Sequence, residues 1–274
     1  MTQDKHSILP DRIRQAMSTM SMPLSPDSYQ PLYYKSLPEM ARIRSDVPDM
    51  PDMADMVLLG DVIAAIDCLR GEHAKDSVYE YLARCGTALL LLGHAGTDEA
   101  HDLVSPLSWP NELPFAYGPP VAVPEQVLTL ASYVHALVHR REGPFPSEFG
   151  MTGFSNADYW AGSALRSPEG AEALPLEDIR QAILDVAQQS PHASQPEVQQ
   201  WVQTNVAGED VMVFPAWDPR VLNELCRTIQ QANNDPASSN NAAAAPLRAF
   251  AEQAVMVEIQ MLLKHTLRAM HYDI

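Results

Sequence analysis

The stretch from Ser77 to Leu92 constrains the fold of this chain more than any other. Ser77 and Glu80 form a capping-box pattern, in which each side chain bonds a backbone N–H at the start of a helix. The apolar residues that follow recur at helical spacing: they are Val78, Leu82, Cys85, Leu89 and Leu92. The last turn, Ala88 to Leu92, is apolar on every side, and Gly93 closes the helix. Such a helix must be covered all round by other parts of the chain.

A second helix is predicted just before this one. Between Asp55 and Arg70 the apolar residues again repeat at helical spacing and Gly71 follows. The short connection from Gly71 to Asp76 predicts that the two helices form an antiparallel helical hairpin near residues 55–92.

Helical patterns account for most of the remaining chain. Caps, prolines in first turns and apolar stripes predict further helices, over residues 11–20, 37–44, 97–104, 125–141, 155–165, 175–186, 196–206, 218–231 and 246–271. The strand-like run Val211 to Phe214 is short and fits extended chain equally well. We therefore expect an all-α protein, an irregular multi-helix globular domain with long proline- and aromatic-rich loops.

Composition divides the chain into four parts. Residues 1–53 are rich in proline, methionine and tyrosine, and we expect them to form an N-terminal arm lying on the body. Residues 54–232 form the helical core domain. Residues 233–245 are low-complexity and have nothing to bury, which predicts a flexible linker. Residues 246–274 contain a C-terminal helix expected to dock on the core or on a partner.

The charge balance restricts the partners. The chain has 35 acidic and 18 basic residues, a formal net charge of -17, which repels nucleic acid and anionic membranes and favours a basic protein partner. Without a signal-peptide pattern or an apolar run of membrane-spanning length, a cytoplasmic location is expected. The three cysteines have no CxxC spacing and are typical of buried free thiols.

Two histidine groups are the candidates for a metal site. His135 and His139 are four residues apart, so they lie on one side of a helix within reach of one ion. His94 and His101 bracket the carboxylates Asp98 and Glu99 in a separate group. Ordinary structural roles explain both groups as well: His135 and His139 are expected at the edge of the buried face of their helix. Convergence of the two groups in space would favour an enzyme.

Long aromatic loops precede and follow the helix that carries His135. They are predicted to begin at Ser105 and after Gly143, and rigid aromatic side chains in such loops build binding clefts or pin the loops to the core. The candidate binding residues are Trp109, Phe115, Tyr117, Phe145, Phe149, Phe154 and Trp160.

An acidic strip follows the arm. Asp46, Asp49, Asp52 and Asp55 recur every third residue, and in polyproline II geometry they line one edge. The strip suits a basic partner segment or a divalent cation, whereas a helix cap with solvated neighbours is the more common origin of such a run. Arg140 and Arg141, the other charge cluster considered, are expected to oppose the dipole at the end of their helix.

These patterns predict a non-enzymatic acidic helical protein that acts through protein–protein binding, as an adaptor, chaperone or inhibitor. No GxSxG motif or phosphate-binding glycine loop occurs, and catalytic residues remain unassigned. No cofactor is predicted. The alternative is a metal-dependent or small-molecule-processing helical enzyme that uses the His135/His139 helix face and a divalent transition metal. A homo-oligomer formed through the 246–271 helix is a further hypothesis.

Overall fold

The computed structural model describes residues 5–32, 60–64, 77–109, 123–146, 150–207, 216–234 and 241–272. These residues form helices and turns without a β-strand, which confirms the predicted all-α class. The helices are α1 (Lys5–Thr19), α2 (Ser77–Leu92), α3 (Thr97–Ser108), α4 (Glu125–Glu142), α5 (Gly153–Ala164), α6 (Pro168–Glu172), α7 (Leu176–Gln189), α8 (Pro196–Asn205), α9 (Arg220–Asn234) and α10 (Asn241–Ala269). Residues 60–64 are also helical, and Pro26–Ser28 form a 3-10 turn. No helix in these ranges has the length and apolarity needed to cross a membrane.

Helix α4 lies at the centre of the fold, because α2, α3, α5 and α6 all pack against it. Every residue from Thr129 to Glu142 is buried. The expectation that His135 and His139 lie at the edge of a buried face is therefore wrong: their exposed fractions are 1% and 4%. Arg140 and Arg141, predicted to oppose the dipole at the end of this helix, are each only 2% exposed.

The predicted helix from Ser77 to Leu92 is confirmed as α2. Ala88, Leu89, Leu90 and Leu92 are fully buried, as an apolar turn requires. The helix predicted before it is described only at residues 60–64, where Val62 is fully buried.

The C-terminal helix α10 packs on the body of the molecule, against α2, α7, α8 and α9. Apart from Glu258 and Thr266, its fully buried residues are apolar and include Phe250, Ala254, Val255, Ile259, Leu262, Leu263 and Leu267. Helix α9 reaches Asn234 and α10 begins at Asn241, so residues 241–245, which composition places in a linker, are helical.

The described part of the N-terminal arm belongs to the core. Met17, Met20 and Met22 are buried, and Tyr29 packs edge-on against Phe154 with ring centroids 5.6 Å apart. The Ser21 amide donates to the Gly93 carbonyl at 2.9 Å. These methionines are therefore packing residues and do not form a surface for a partner.

Several predicted features lie outside the described residues. They are the helix at 37–44, the acidic strip Asp46, Asp49, Asp52 and Asp55, the loop residues Phe115, Tyr117 and Phe149, and the run Val211 to Phe214.

Candidate metal centre

Helix α3 supplies the first histidine of the site. Asp98 and Glu99 occupy its first turn, where carboxylates interact favourably with the helix dipole. His101 follows on the inner side of the helix and is 4% exposed. The helix continues to Ser108 with Pro106 inside it, so the prediction of a loop beginning at Ser105 is wrong.

Helix α4 supplies the other two histidines. His135 and His139 are one turn apart, and their rings stack with centroids 4.7 Å apart and an interplanar angle of 23°. His101 stands nearly perpendicular to both rings, with centroid distances of 4.9 Å to His135 and 5.6 Å to His139.

The three imidazoles form a cluster, which we call the histidine triad, with the spacing of a metal site. One nitrogen of each ring lies within 4.8 Å of one nitrogen of the other two. Among the residues that the structure describes, the histidine triad is the set of His, Cys, Asp or Glu side chains whose ligand atoms lie this close together. The two groups proposed from the sequence therefore converge, but only partly.

His94 does not join the triad. Its Nδ1 lies 2.8 Å from the Leu90 carbonyl and its Nε2 lies 3.1 Å from the Thr19 hydroxyl. Both ring nitrogens have protein partners, so His94 ties the end of α2 to α1. We assign it a structural role.

A carboxylate orients His139. The His139 Nδ1 lies 2.8 Å from Glu142 Oε2, and Glu142 is 1% exposed. An imidazole that donates from Nδ1 to a carboxylate presents the lone pair of Nε2, the arrangement found around metal ligands. Burial raises the pKa of Glu142 to about 7, and the charge of the neighbouring Asp98 contributes in the same direction.

The two histidines of α4 are held neutral. Burial lowers the pKa of His135 well below its ordinary value, and His139 and His101 lower it further. Burial and the proximity of His101 lower the pKa of His139 in the same way. A neutral imidazole is the form that binds a metal ion, because its free nitrogen carries a lone pair.

His135 is buried with both of its ring nitrogens unpaired in the part of the chain that the structure describes, whereas His94 and His139 have hydrogen-bond partners. Neither Nδ1 nor Nε2 has a hydrogen-bond partner among the described residues, although the ring is 1% exposed. Leaving a buried polar group unpaired costs about 1–3 kcal/mol. Such a residue calls for an explanation, and an ion bound by the ring is one.

The aromatic residues predicted for binding have three different placements. Trp160 is 4% exposed and stacks on His135 with centroids 4.2 Å apart and an angle of 22°. Trp109 meets Trp160 edge-on at 4.9 Å. Phe154 is buried in the core and Phe145 packs against that core. Trp160 therefore contacts the histidine triad, and Trp109 contacts Trp160.

Close packing of α5 on α4 brings Trp160 to its place. A Cβ atom on Gly153 would lie 2.6 Å from the His139 carbonyl oxygen, so only glycine allows this approach. Two turns later Trp160 reaches His135. The helix begins with Thr152 as its cap, whose hydroxyl accepts from the Ser155 amide. Ser155, where the sequence predicts the helix to begin, lies inside it.

Sequence reasoning missed a buried ion pair on the next residue of α4. Arg140 binds Glu258 of α10 through its Nη1 and donates from Nε to Asn223 Oδ1 at 2.6 Å. Tyr133 donates to Glu258 at 2.8 Å, and Trp217 donates to the Tyr133 hydroxyl at 3.0 Å. The signal in the sequence was Glu258 within an apolar helical stripe, since a charge there requires a buried partner.

No protein-family model, curated protein or solved structure matches the chain. Function is therefore argued from the geometry of the site.

Proposed function

We propose that this protein is a metal-dependent enzyme whose centre is one divalent transition-metal ion bound by His101, His135 and His139. The observation that supports the proposal is the convergence of three buried imidazoles from two helices, one of them without any hydrogen-bond partner among the described residues. Buried imidazoles without such a role are normally paired, as His94 is.

The donor set favours zinc or iron over magnesium or calcium. Neutral nitrogen donors suit the later divalent transition metals, whereas hard cations prefer oxygen. Zinc–nitrogen bonds of about 2.1 Å in a tetrahedron place two nitrogens about 3.4 Å apart. The ligand atoms here lie within 4.8 Å of one another, so small side-chain rotations bring the three rings into ligating positions.

The three protein ligands found among the described residues support a catalytic centre. Structural zinc sites use four protein ligands, whereas catalytic ones use three and keep a position for water or substrate. A metal in such a site lowers the pKa of its bound water to about 7 and polarises a carbonyl or phosphoryl oxygen. We accordingly propose metal-assisted attack of water as the reaction class.

Elemental analysis of protein purified without a chelator or a histidine tag tests the proposal. We expect one equivalent of zinc or iron per chain, lost in His101→Ala and in the His135→Ala/His139→Ala double variant. His192→Ala is the matched control, because His192 lies at a partly exposed turn outside the triad and its removal should leave the metal content unchanged. Absence of a stoichiometric metal, together with no uptake on incubation with zinc or iron(II), would refute the metal centre.

Protein–protein binding stays a second proposal, supported by the net charge of -17. It is compatible with a metal centre, since the acidic strip and the triad consist of different residues. The test is salt-dependent capture of a basic peptide library by the full chain, compared with a chain in which Asp46, Asp49, Asp52 and Asp55 are changed to asparagine.

A further inference from the structure

The three triad histidines are held in place by different means. His139 is oriented by Glu142, as metal-ligating histidines usually are by a carboxylate or carbonyl. His101 lies 3.7 Å from Asp102 through its Nδ1. His135 has no hydrogen bond on either nitrogen in the described part of the chain, so its ring must be fixed by something else.

Aromatic stacking is what fixes it. The His135 ring lies between the indole of Trp160, at 4.2 Å and 22°, and the imidazole of His139, at 4.7 Å and 23°. A ring clamped between two nearly parallel rings can slide only by losing contact on both faces. Stacked aromatic pairs of this kind contribute about 0.5–1.5 kcal/mol beyond the area that they bury.

Trp160 is itself held firmly. Trp109 and Tyr159 meet its ring edge-on at 4.9 Å and 5.1 Å, with interplanar angles of 90° and 82°. Ala136 and Ala161 pack beside it, and small side chains there leave room for the indole between α4 and α5.

We propose that Trp160 is the positioning residue of the metal ligand His135, and that its indole replaces the hydrogen bond that orients a ligating histidine elsewhere. The inference rests on the proposed metal centre. The indole fixes the tilt of the ring without engaging either nitrogen, which leaves one nitrogen for the metal and the other for a molecule bound beside it. Trp160 also shields one face of the His135 ring, because both side chains are buried.

The test compares Trp160→Phe, which keeps a flat ring, with Trp160→Leu and Trp160→Met, which fill the space without one. Cobalt(II) is the probe, because its visible absorption reports ligand geometry. Trp201→Leu is the control, since Trp201 packs on Phe250 with centroids 5.4 Å apart and does not belong to the triad. Circular dichroism and urea unfolding establish that each variant is folded.

We expect the wild-type chain, Trp160→Phe and Trp201→Leu to bind cobalt with similar affinity and the same visible spectrum. Trp160→Leu and Trp160→Met should bind at least about 10-fold more weakly, the usual effect of removing a group that orients a ligand, with a shifted spectrum and faster loss of cobalt to a chelator. If the wild type binds cobalt, and a folded Leu or Met variant binds it with unchanged affinity, spectrum and release rate, the role of Trp160 is overturned. The proposed metal centre would still stand in that case. If Trp160→Leu does not fold, the result for Trp160→Met tests the role of Trp160. If neither variant folds, the test is Trp160→Phe, and a cobalt affinity or spectrum that differs from the wild type overturns the role of Trp160. If the wild type binds no cobalt, zinc or iron(II), the proposed metal centre fails first.

Discussion

His139 and Arg140 are neighbours on α4, are both buried, and point into two polar clusters of opposite character. Arg140 enters a cluster in which its guanidinium, Glu258 and Tyr133 all have protein partners. His139 enters the histidine triad, where His135 has two nitrogens with no partner among the described residues. The same helix thus carries one polar cluster that is complete and one that is not.

The difference separates a structural cluster from a candidate functional one. The Arg140 cluster joins α4 to α9 through Asn223 and to α10 through Glu258, and Trp217, just before α9, donates to Tyr133 of α4. In the triad His139 is paired with Glu142, whereas His135 has no hydrogen-bond partner among the described residues. A fold tolerates unpaired buried nitrogen atoms only at a cost in stability, and such costs are concentrated at functional sites. The comparison therefore predicts opposite responses to substitution.

The largest effect should follow from breaking the Arg140–Glu258 pair. Glu258 is fully buried and Arg140 is 2% exposed, so Glu258→Ala leaves an uncompensated buried charge. We expect the free energy of unfolding to fall by about 3–5 kcal/mol, measured by urea unfolding at pH 7.

Two controls sharpen this result. Replacing both residues, Arg140→Met with Glu258→Met, should recover most of the loss, because an apolar pair of similar size needs no compensation. Asp11→Ala removes the Arg14–Asp11 pair, whose side chains are 54% and 81% exposed, and should change stability by less than about 1 kcal/mol. A Glu258→Ala variant as stable as Asp11→Ala would show that the buried pair has no structural role.

Much of the fold was predictable because helices are encoded locally. The spacing in Ser77 to Leu92 and the segment between Pro124 and Gly143 gave helices whose ends agree with α2 and α4 within a residue or two. Local patterns failed where tertiary contacts decide. Helix α1 begins at Lys5 and not near Asp11, and α4 is buried on all sides because four helices surround it, which its own sequence does not reveal.

The site was predictable only in its parts. His101, His135 and His139 were all identified as metal candidates, yet His101 was grouped with His94 because the two are close in sequence. Whether α3 brings His101 to α4 depends on how the helices pack, and no residue pattern specifies that. Glu142 and Trp160 illustrate the same limit. The three-residue spacing from His139 to Glu142 hints at their contact, because both lie on one helix. Trp160 reaches His135 across a helix–helix interface, which sequence spacing does not indicate.

The second effect is a pH dependence that belongs to the triad and not to the Arg140 cluster. The pKa values of His135 and His139 are lowered in the folded protein. Below their ordinary value of 6.5 the unfolded chain therefore binds protons that the folded chain does not, and the metal-free protein loses stability as the pH falls. Each histidine contributes up to about 1.4 kcal/mol per pH unit in that window.

Glu142 acts in the opposite direction. Its pKa is raised from 4.5 to about 7, so between these values the folded protein binds a proton that the unfolded chain lacks, and stability rises as the pH falls. On acidification from pH 6.5 to about 5, Glu142→Gln should accordingly lose stability more steeply than the wild type, by up to about 1.4 kcal/mol per pH unit. The free energy of unfolding is measured by urea unfolding at several pH values across this range. An equal dependence on pH in the two proteins would contradict the assignment of the bound proton to Glu142.

The smallest effect is the most specific to the triad, because it has the unusual sign. In the metal-free protein His135→Leu removes two buried nitrogens without hydrogen-bond partners among the described residues and keeps an apolar side chain against Trp160. We expect the free energy of unfolding to rise by about 1 kcal/mol. His139→Leu should lower it instead, since Glu142 loses its partner while buried. With zinc present the wild type should become more stable than His135→Leu. Only the wild type gains the stabilisation that zinc binding confers on the folded state, about 2.7 kcal/mol at a zinc concentration 100 times Kd. A His135→Leu variant that is less stable than the wild type without metal would mean that His135 has a structural partner, and the contrast with the Arg140 cluster would no longer hold.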